Sequence, residues 1–304
     1  MSAPAPDLAV DIGGTTIAVG LVDAAGALRH TEVGPTPDGD AEAVWSAVAA
    51  LIAAAVRTAG GRIGAAGVVS AGPIDLAAGT VSPINIASWR AFPLRARVRS
   101  ALPGVAVHLG GDGMAMALGE SWRGAGRGAA GMLGMVVSTG VGGGLIFDGL
   151  PYPGRTGNAG HVGHVVIDPA GAACRCGGRG CVETVAAAPA LVDWARAQGW
   201  TGADAAALAA SAAAGDPVAR AAFARGTAAL AAMIVSVAAT CDLDLVVVGG
   251  GVARAGAVLF DPLRAALADH AGLAFLRGLQ VVPAELGADA GLVGAAALTR
   301  RRFG

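Results

Sequence analysis

Lysine is absent from this 304-residue chain, so all 21 of its basic residues are arginine. Against 22 acidic residues they leave a net charge of −1. A chain so nearly neutral has no electrostatic footprint for nucleic acid. Charged residues make up only 14% and hydrophobic ones 54%, which excludes a disordered segment or a coiled coil. Long hydrophobic runs are missing too: alanine-rich stretches such as 228–239 are too short and too interrupted to span a bilayer. The start MSAPAPDLAV lacks a basic region followed by an apolar run, so no signal peptide is evident. GK[ST] does not occur, which excludes a P-loop. These absences place the expected protein in the cytoplasm, with neither nucleic acid nor membrane as partner.

Cysteines number only four, yet three stand within eight residues: Cys174, Cys176 and Cys181. They lie in the stretch from Gly157 to Glu183, which also holds His161 and His164. A Cys-x-Cys-x4-Cys knuckle with His164 ten residues upstream offers four soft or borderline ligands. That is the closed tetrahedral set of a structural zinc. It leaves no open position, so a zinc enzyme is disfavoured. Glycines at 177, 178 and 180 let the thiolates converge. The competing reading, a disulfide with a spare thiol, is opposed by a reducing compartment. Cys241 stands alone in an apolar run and reads as buried and structural.

The length leaves room for a large core and two domains. Leu8 to Asp11 reads as a buried strand, Gly13-Gly14-Thr15-Thr16 as a turn, and Ile17 to Val22 as a returning strand. Such a unit lines a phosphate-sized hole with backbone N–H groups and hydroxyls. Met135 to Ser138, the turn from Thr139 and Gly140 to Gly144, and Leu145 to Phe147 repeat the design. Two such turns facing each other can grip one nucleotide's phosphates. No helix follows either turn, which disfavours a dinucleotide fold. A third strand is expected at Leu28 to Val33 and a helix at Asp40 to Ala59. Ile63 to Ser70 reads as a strand running into Ala71-Gly72-Pro73, a turn where backbone can approach a ligand. Trp89 reads as a partly buried anchor. The strand Val105 to Leu109 delivers Gly110 to Gly113, and a helix follows through Met114 to Trp122. Taken alone, Asp112 reads as a helix N-cap. Helices are expected at Ala188–Gln198, Ala203–Ala213, Pro217–Thr240, Val258–His270 and Ala290–Arg301. Strands are expected at Leu243–Val248, which ends in Gly249-Gly250-Gly251, and at Gln280–Pro283.

GHVGH followed by CRCGGRGCVE resembles the signature of the ROK family of bacterial sugar kinases and sugar-responsive repressors. The resemblance runs from Asp7 to about Leu298. It implies an α/β, actin-like ATPase (ribonuclease H-like) fold, with two α/β domains around a central cleft. Residues 1–112 plus 290–304 would form a small N-terminal domain, and 113–289 a large one with the zinc loop. Mg-ATP would lie between them. Asp11, Gly13, Gly14, Thr15 and Thr16 would line one side of the phosphates, Thr139 and Gly140 the other, with Gly249, Gly250 and Gly251 at the adenosine. The hexose would sit deeper, among Gly72, Asn85, Gly111, Asp112, His161, His164 and Glu183. Asp112, ahead of Ala117-Leu118-Gly119-Glu120, matches the family's catalytic base for the 6-hydroxyl. His164, Cys174, Cys176 and Cys181 match the ligands of a zinc that pins the sugar loop. The family commonly forms homodimers.

Three positions depart from the pattern. Thr16 stands where many relatives have Lys or Asn, so Mg²⁺ and backbone N–H groups would neutralise more phosphate charge. Gly111 replaces an Asn and His161 a Glu, both sugar-recognition side chains. The expected activity is therefore phosphorylation of the 6-hydroxyl of glucose or an altered glucose, with 3-amino-3-deoxyglucose (kanosamine) the leading candidate. The alternative is a sugar-sensing regulator without kinase activity. Such regulators carry a winged helix-turn-helix ahead of the first phosphate loop, where this chain has only ten residues before Asp11.

Overall fold

A computed structural model describes residues 4–300. Residues 1–3 and 301–304, which the expected first domain includes, lie outside that range. The chain opens with β1 (Asp7–Ile12), β2 (Thr16–Val22), β3 (Leu28–Pro35), α1 (Ala41–Thr58) and β4 (Ala65–Ser70). The small hairpin β5 (Ile74–Asp75) and β6 (Thr80–Val81) follows, then α2 (Leu94–Ala101), β7 (Ala106–Gly111) and α3 (Asp112–Arg123). Asp40 caps α1 by accepting from the Ala43 N–H at 2.8 Å, as its position predicts. The first sheet has the order β3-β2-β1-β4-β7. Residues alternate between its faces: Leu8, Val10 and Ile12 join α1 and α2 in one core, while Ala9 and Val69 belong to another. Trp89 is fully buried in the first core, stacked on Phe92 at 4.2 Å. It is an interior residue rather than the partly buried anchor expected.

The second half repeats the plan. It contains β8 (Gly131–Val137), β9 (Val141–Phe147), β10 (Leu150–Tyr152), α4 (Glu183–Ala186), α5 (Ala188–Ala197), α6 (Ala205–Ala213) and α7 (Pro217–Cys241). It ends with β11 (Leu245–Gly249), α8 (Ala257–His270), β12 (Gln280–Pro283) and α9 (Ala290–Leu298). Its sheet order is β10-β9-β8-β11-β12. In both sheets the first three strands pair antiparallel and the next two join in parallel. The duplication expected at the hairpins therefore extends to whole sheets, as the actin-like ATPase fold requires. One expectation is corrected here. α7 is 25 residues with mean hydropathy 1.6, and α1 is 18 residues with 1.4, so both are long and apolar enough to cross a bilayer. Each is instead buried in a core: α7 packs against α4, α5, α6 and α8 and buries Phe223, Leu230 and Ile234, and α1 packs on β2 and β3 and buries Val44, Val48 and Ile52.

The two sheets are joined by a crossing of helices. α3 leaves the first sheet and packs on β8 and β9, while α9 leaves the second and packs on β1 and β4. Between them the helices touch backbone to backbone. A Cβ at Gly294 would sit on the Ala115 carbonyl, one at Gly67 on that of Ala295, and one at Gly134 against Ala117. Only glycine permits these approaches. Beside this stack, Glu120 of α3 is fully buried. Its carboxyl oxygens accept from Ala125 N–H at 2.9 Å, Glu285 N–H at 3.2 Å and Leu286 N–H at 2.8 Å. The side chain thus fastens the approach to α9 onto α3. Glu120→Ala orphans three backbone donors and should cost about 3 kcal/mol or more in urea unfolding; a loss of less than about 1 kcal/mol contradicts the clasp.

Candidate functional site

Turns from both sheets converge at one end of the molecule. In the first turn, Gly13 N–H donates to Thr16 C=O at 2.9 Å. Thr36, which no sequence signal singled out, holds that turn: its hydroxyl donates to Gly13 C=O at 2.7 Å and its N–H to Thr15 C=O at 3.0 Å. Asn85 lies directly over Gly14, where a Cβ would stand 2.7 Å from its Cγ. In the second turn, Ser138 N–H donates to Gly140 C=O at 2.8 Å. Gly250, at positive φ, lies against the Val137 carbonyl, and a Cβ at Gly251 would stand 3.5 Å from Ser138 Oγ. The glycine turn 249–251 therefore adjoins the turn at Thr139. Glu183 also belongs to this turn, since its Oε2 accepts from Val141 N–H at 2.8 Å.

Two carboxyls lie at one end of the first sheet, where Ile12, Ser70 and Gly111 are in register across β1, β4 and β7. Asp11 is the next-to-last residue of β1, on the face that meets α9, and a Cβ at Gly291 would collide with its Oδ2. Asp112 is the first residue of α3; the cap is Gly111, so the N-cap reading is corrected. Asp112 Oδ1 accepts from Gly113 N–H at 2.7 Å. Its side chain is exposed to water although protein atoms crowd around it. Burial holds its carboxyl above the usual carboxylate range, against the opposing pull of the Gly113 N–H and of His161. Burial, then the charge of Asp112, lifts Asp11 to about 7. A carboxylate so raised is a better proton acceptor, and a close pair of them attracts a cation. Beside Asp112 the structure is open: a Cβ at Gly111 would meet only Ile74 Cδ1, at 4.0 Å.

His161 faces this space. Its Nδ1 lies 3.0 Å from Asn158 C=O. A carbonyl only accepts, so Nδ1 carries the proton and Nε2 is left toward the turn at Gly72. A Cβ on Gly72 would stand 2.9 Å from that Nε2. The ring therefore offers the site one acceptor when neutral; its donor is already used.

Behind His161, His164 Nδ1 and the sulfurs of Cys174, Cys176 and Cys181 all lie within 4.8 Å of one another. Cys176 and Cys181 are 3.8 Å apart, as are Cys174 Sγ and His164 Nδ1. The edge of a tetrahedron with Zn–S bonds of about 2.3 Å is also about 3.8 Å, whereas a disulfide needs about 2.05 Å. All four cysteines are free. Burial and the neighbouring sulfurs push the Cys181 thiol up to about 12, whereas the Gly178 N–H and then Cys174 pull the Cys176 thiol down. These four residues are able to hold a metal ion.

The chain matches the model of the ROK family over residues 7–302. It is 35% identical over 315 residues to a glucokinase of Thermotoga maritima, covering 98% of each chain. It is 35% identical to an N-acetylmannosamine kinase of Yersinia pestis, over 96% of this chain and 98% of that one. Among solved structures, a ROK hexokinase from Thermus thermophilus superposes with TM-score 0.85 at 35% identity, covering 96% of this chain and 97% of that one. A ROK family glucokinase from Streptomyces griseus, in complex with glucose and AMPPNP, gives TM-score 0.83 at 34% identity, covering 97% and 99%.

The raised Asp11 makes a pH prediction. Its folded value of about 7 exceeds the ordinary 3.8, so the folded state binds more protons between those values and loses stability as pH rises through them. Relative to Asp11→Asn, the ligand-free protein should lose about 1–2 kcal/mol between pH 4 and 8, less than the full shift because the Asp11 carboxyl is only partly buried. Parallel stability–pH curves for the two proteins contradict the raised value.

Proposed function

The chain belongs to the ROK family, and on that premise we propose that it is an ATP-dependent kinase that phosphorylates the 6-hydroxyl of a hexose. The observation that carries this reading is the pair Asp11 and Asp112 at one end of the first sheet, where the charge of Asp112 helps raise Asp11. Mg-ATP lies between the halves, its phosphates against Gly13 to Thr16 and against Thr139 and Gly140, its adenosine toward Gly249 to Gly251. The hexose lies among Gly72, Asn85, Gly111, His161, His164 and Glu183. Asp112 orients the 6-hydroxyl and accepts its proton as that oxygen bonds to the γ-phosphorus. The bond from the γ-phosphorus to the β,γ-bridging oxygen breaks, and ADP leaves. Residues 1–112 with 290–304 form one domain and 113–289 the other; their closure excludes water, the competing acceptor. The protein acts in the cytoplasm as a homodimer. Asp112→Asn should lower kcat about 10²–10⁴-fold with folding retained; near-wild-type turnover contradicts the assignment and favours a sugar-sensing regulator.

The metal is a structural zinc, supported by the donor set and its spacing. Bound at His164 Nδ1, it leaves the proton on Nε2 as a donor to a sugar hydroxyl. Elemental analysis should return one zinc per chain, and chelation should weaken sugar binding before it unfolds the protein. A Cys–Cys disulfide with less than stoichiometric zinc contradicts this.

The sugar is a glucose altered near carbon 3, with 3-amino-3-deoxyglucose (kanosamine) the leading candidate. The open space at Gly111 supports this, as do the two carboxyls, which attract an ammonium group. Glucose, lacking the Asn contact of relatives, loses about 1–3 kcal/mol per missing hydroxyl bond. A coupled ADP-release screen across glucose, mannose, fructose, N-acetylated hexosamines and free amino-hexoses should rank an amino-hexose first; the highest kcat/KM on glucose contradicts it.

A further inference from the structure

The loop that carries His161 is tied to the opposite half of the molecule by one side chain. Asn158 Oδ1 accepts from Ile74 N–H at 2.9 Å, and Asn158 Nδ2 donates to Ile74 C=O at 2.7 Å. A side-chain amide thus pairs with Ile74 as a neighbouring strand would. Nδ2 also donates to Thr156 Oγ1 at 3.0 Å, and Leu76 N–H donates to Thr156 C=O at 3.2 Å. Ile74 follows the Gly72 turn by two residues, and its Cδ1 is the nearest atom to the space at Gly111. The main-chain oxygen of the same Asn158 takes the Nδ1 proton of His161. One residue therefore governs both where the imidazole stands and which nitrogen it turns toward Gly72.

We propose that Asn158 is a positioning residue for the sugar site: it docks the 153–160 loop on Ile74 and presents His161 Nε2 to the sugar as an unprotonated acceptor. This rests on the hexose-kinase reading. An acceptor at this place does for a ring hydroxyl what the carboxylate of a Glu does in the pattern from which His161 departs. Were the loop free of Ile74, the Asn158 carbonyl would shift and both imidazole tautomers would be populated. Nε2–H would then meet the sugar in part of the population. The loss falls on sugar binding and leaves phosphoryl transfer at Asp112 intact.

The test uses full-length, zinc-loaded protein and two variants. Asn158→Ala removes both Ile74 bonds; Asn158→Asp keeps the acceptor for Ile74 N–H but sets a carboxylate against the Ile74 carbonyl. Long-range proton–nitrogen NMR reads the His161 tautomer, and steady-state kinetics read KM for the hexose and for ATP. We expect His161 protonated at Nδ1 in the wild type and mixed in both variants. Hexose KM should rise about tenfold, with kcat and the KM for ATP within about twofold. An unchanged tautomer with unchanged hexose KM overturns the proposal, as does a loss confined to kcat. If either variant fails to fold, the other decides. If the wild type phosphorylates no hexose, the kinase reading fails, while the tautomer comparison still decides the role of Asn158.

Discussion

The backbone contact between α3 and α9 is the constraint on which the rest depends. Each helix begins in one sheet's territory and is buried against the other, so neither half closes its core alone. The contact works because it contains almost no side chain: Gly294 meets the Ala115 carbonyl and Gly119 that of Ala290. Close backbone packing gains dispersion without ordering any rotamer. It also tolerates no added atom. Asp11 and Asp112 lie at one end of the first sheet, where Ile12, Ser70 and Gly111 are in register, and the contact braces the first turns of both helices beside them. A pair proposed to hold a cation and take a proton has to be placed to within about half an ångström. A rigid stack through sheet, helix, helix and sheet supplies that placement.

Much of the site follows from duplication. Each sheet contributes a hairpin whose turn reaches the cleft, and each is braced from outside its own sequence. Thr36 holds the first turn, and Glu183 holds the second. The Glu183 contact gives that residue a second allegiance. It stands one helix start from the cysteine cluster and touches the turn expected to face phosphate, so sugar loop and phosphate turn are mechanically joined.

Local pattern made the hairpins, the start of α7 at Pro217 and the cysteine knuckle legible, because each depends on residues near in sequence. The matching order of the two sheets was not, since β3 and β10, or β7 and β12, share hydrogen-bond roles but no residues. Asp112 was found through the motif around it, while its place as first helical residue depends on where β7 ends. Asn158 and Thr36 gave no signal: their partners, Ile74 and Gly13, lie 84 and 23 residues away. His161 was legible as a changed side chain, but not which of its nitrogens is free. Only the Asn158 carbonyl shows that one is already used. Trp89 was expected at the edge of the core and lies inside it, because Phe92 and the Ala41 carbonyl complete its surroundings.

The central claim is that Asp112 directs phosphoryl transfer to the one exocyclic hydroxyl of a hexose. Phosphorus NMR of the product, with coupling traced to the attached protons, reads the site of transfer directly. The account predicts a phosphate coupled to the two methylene protons on carbon 6. A phosphate coupled instead to a single ring proton, at carbon 1 or elsewhere, would contradict it.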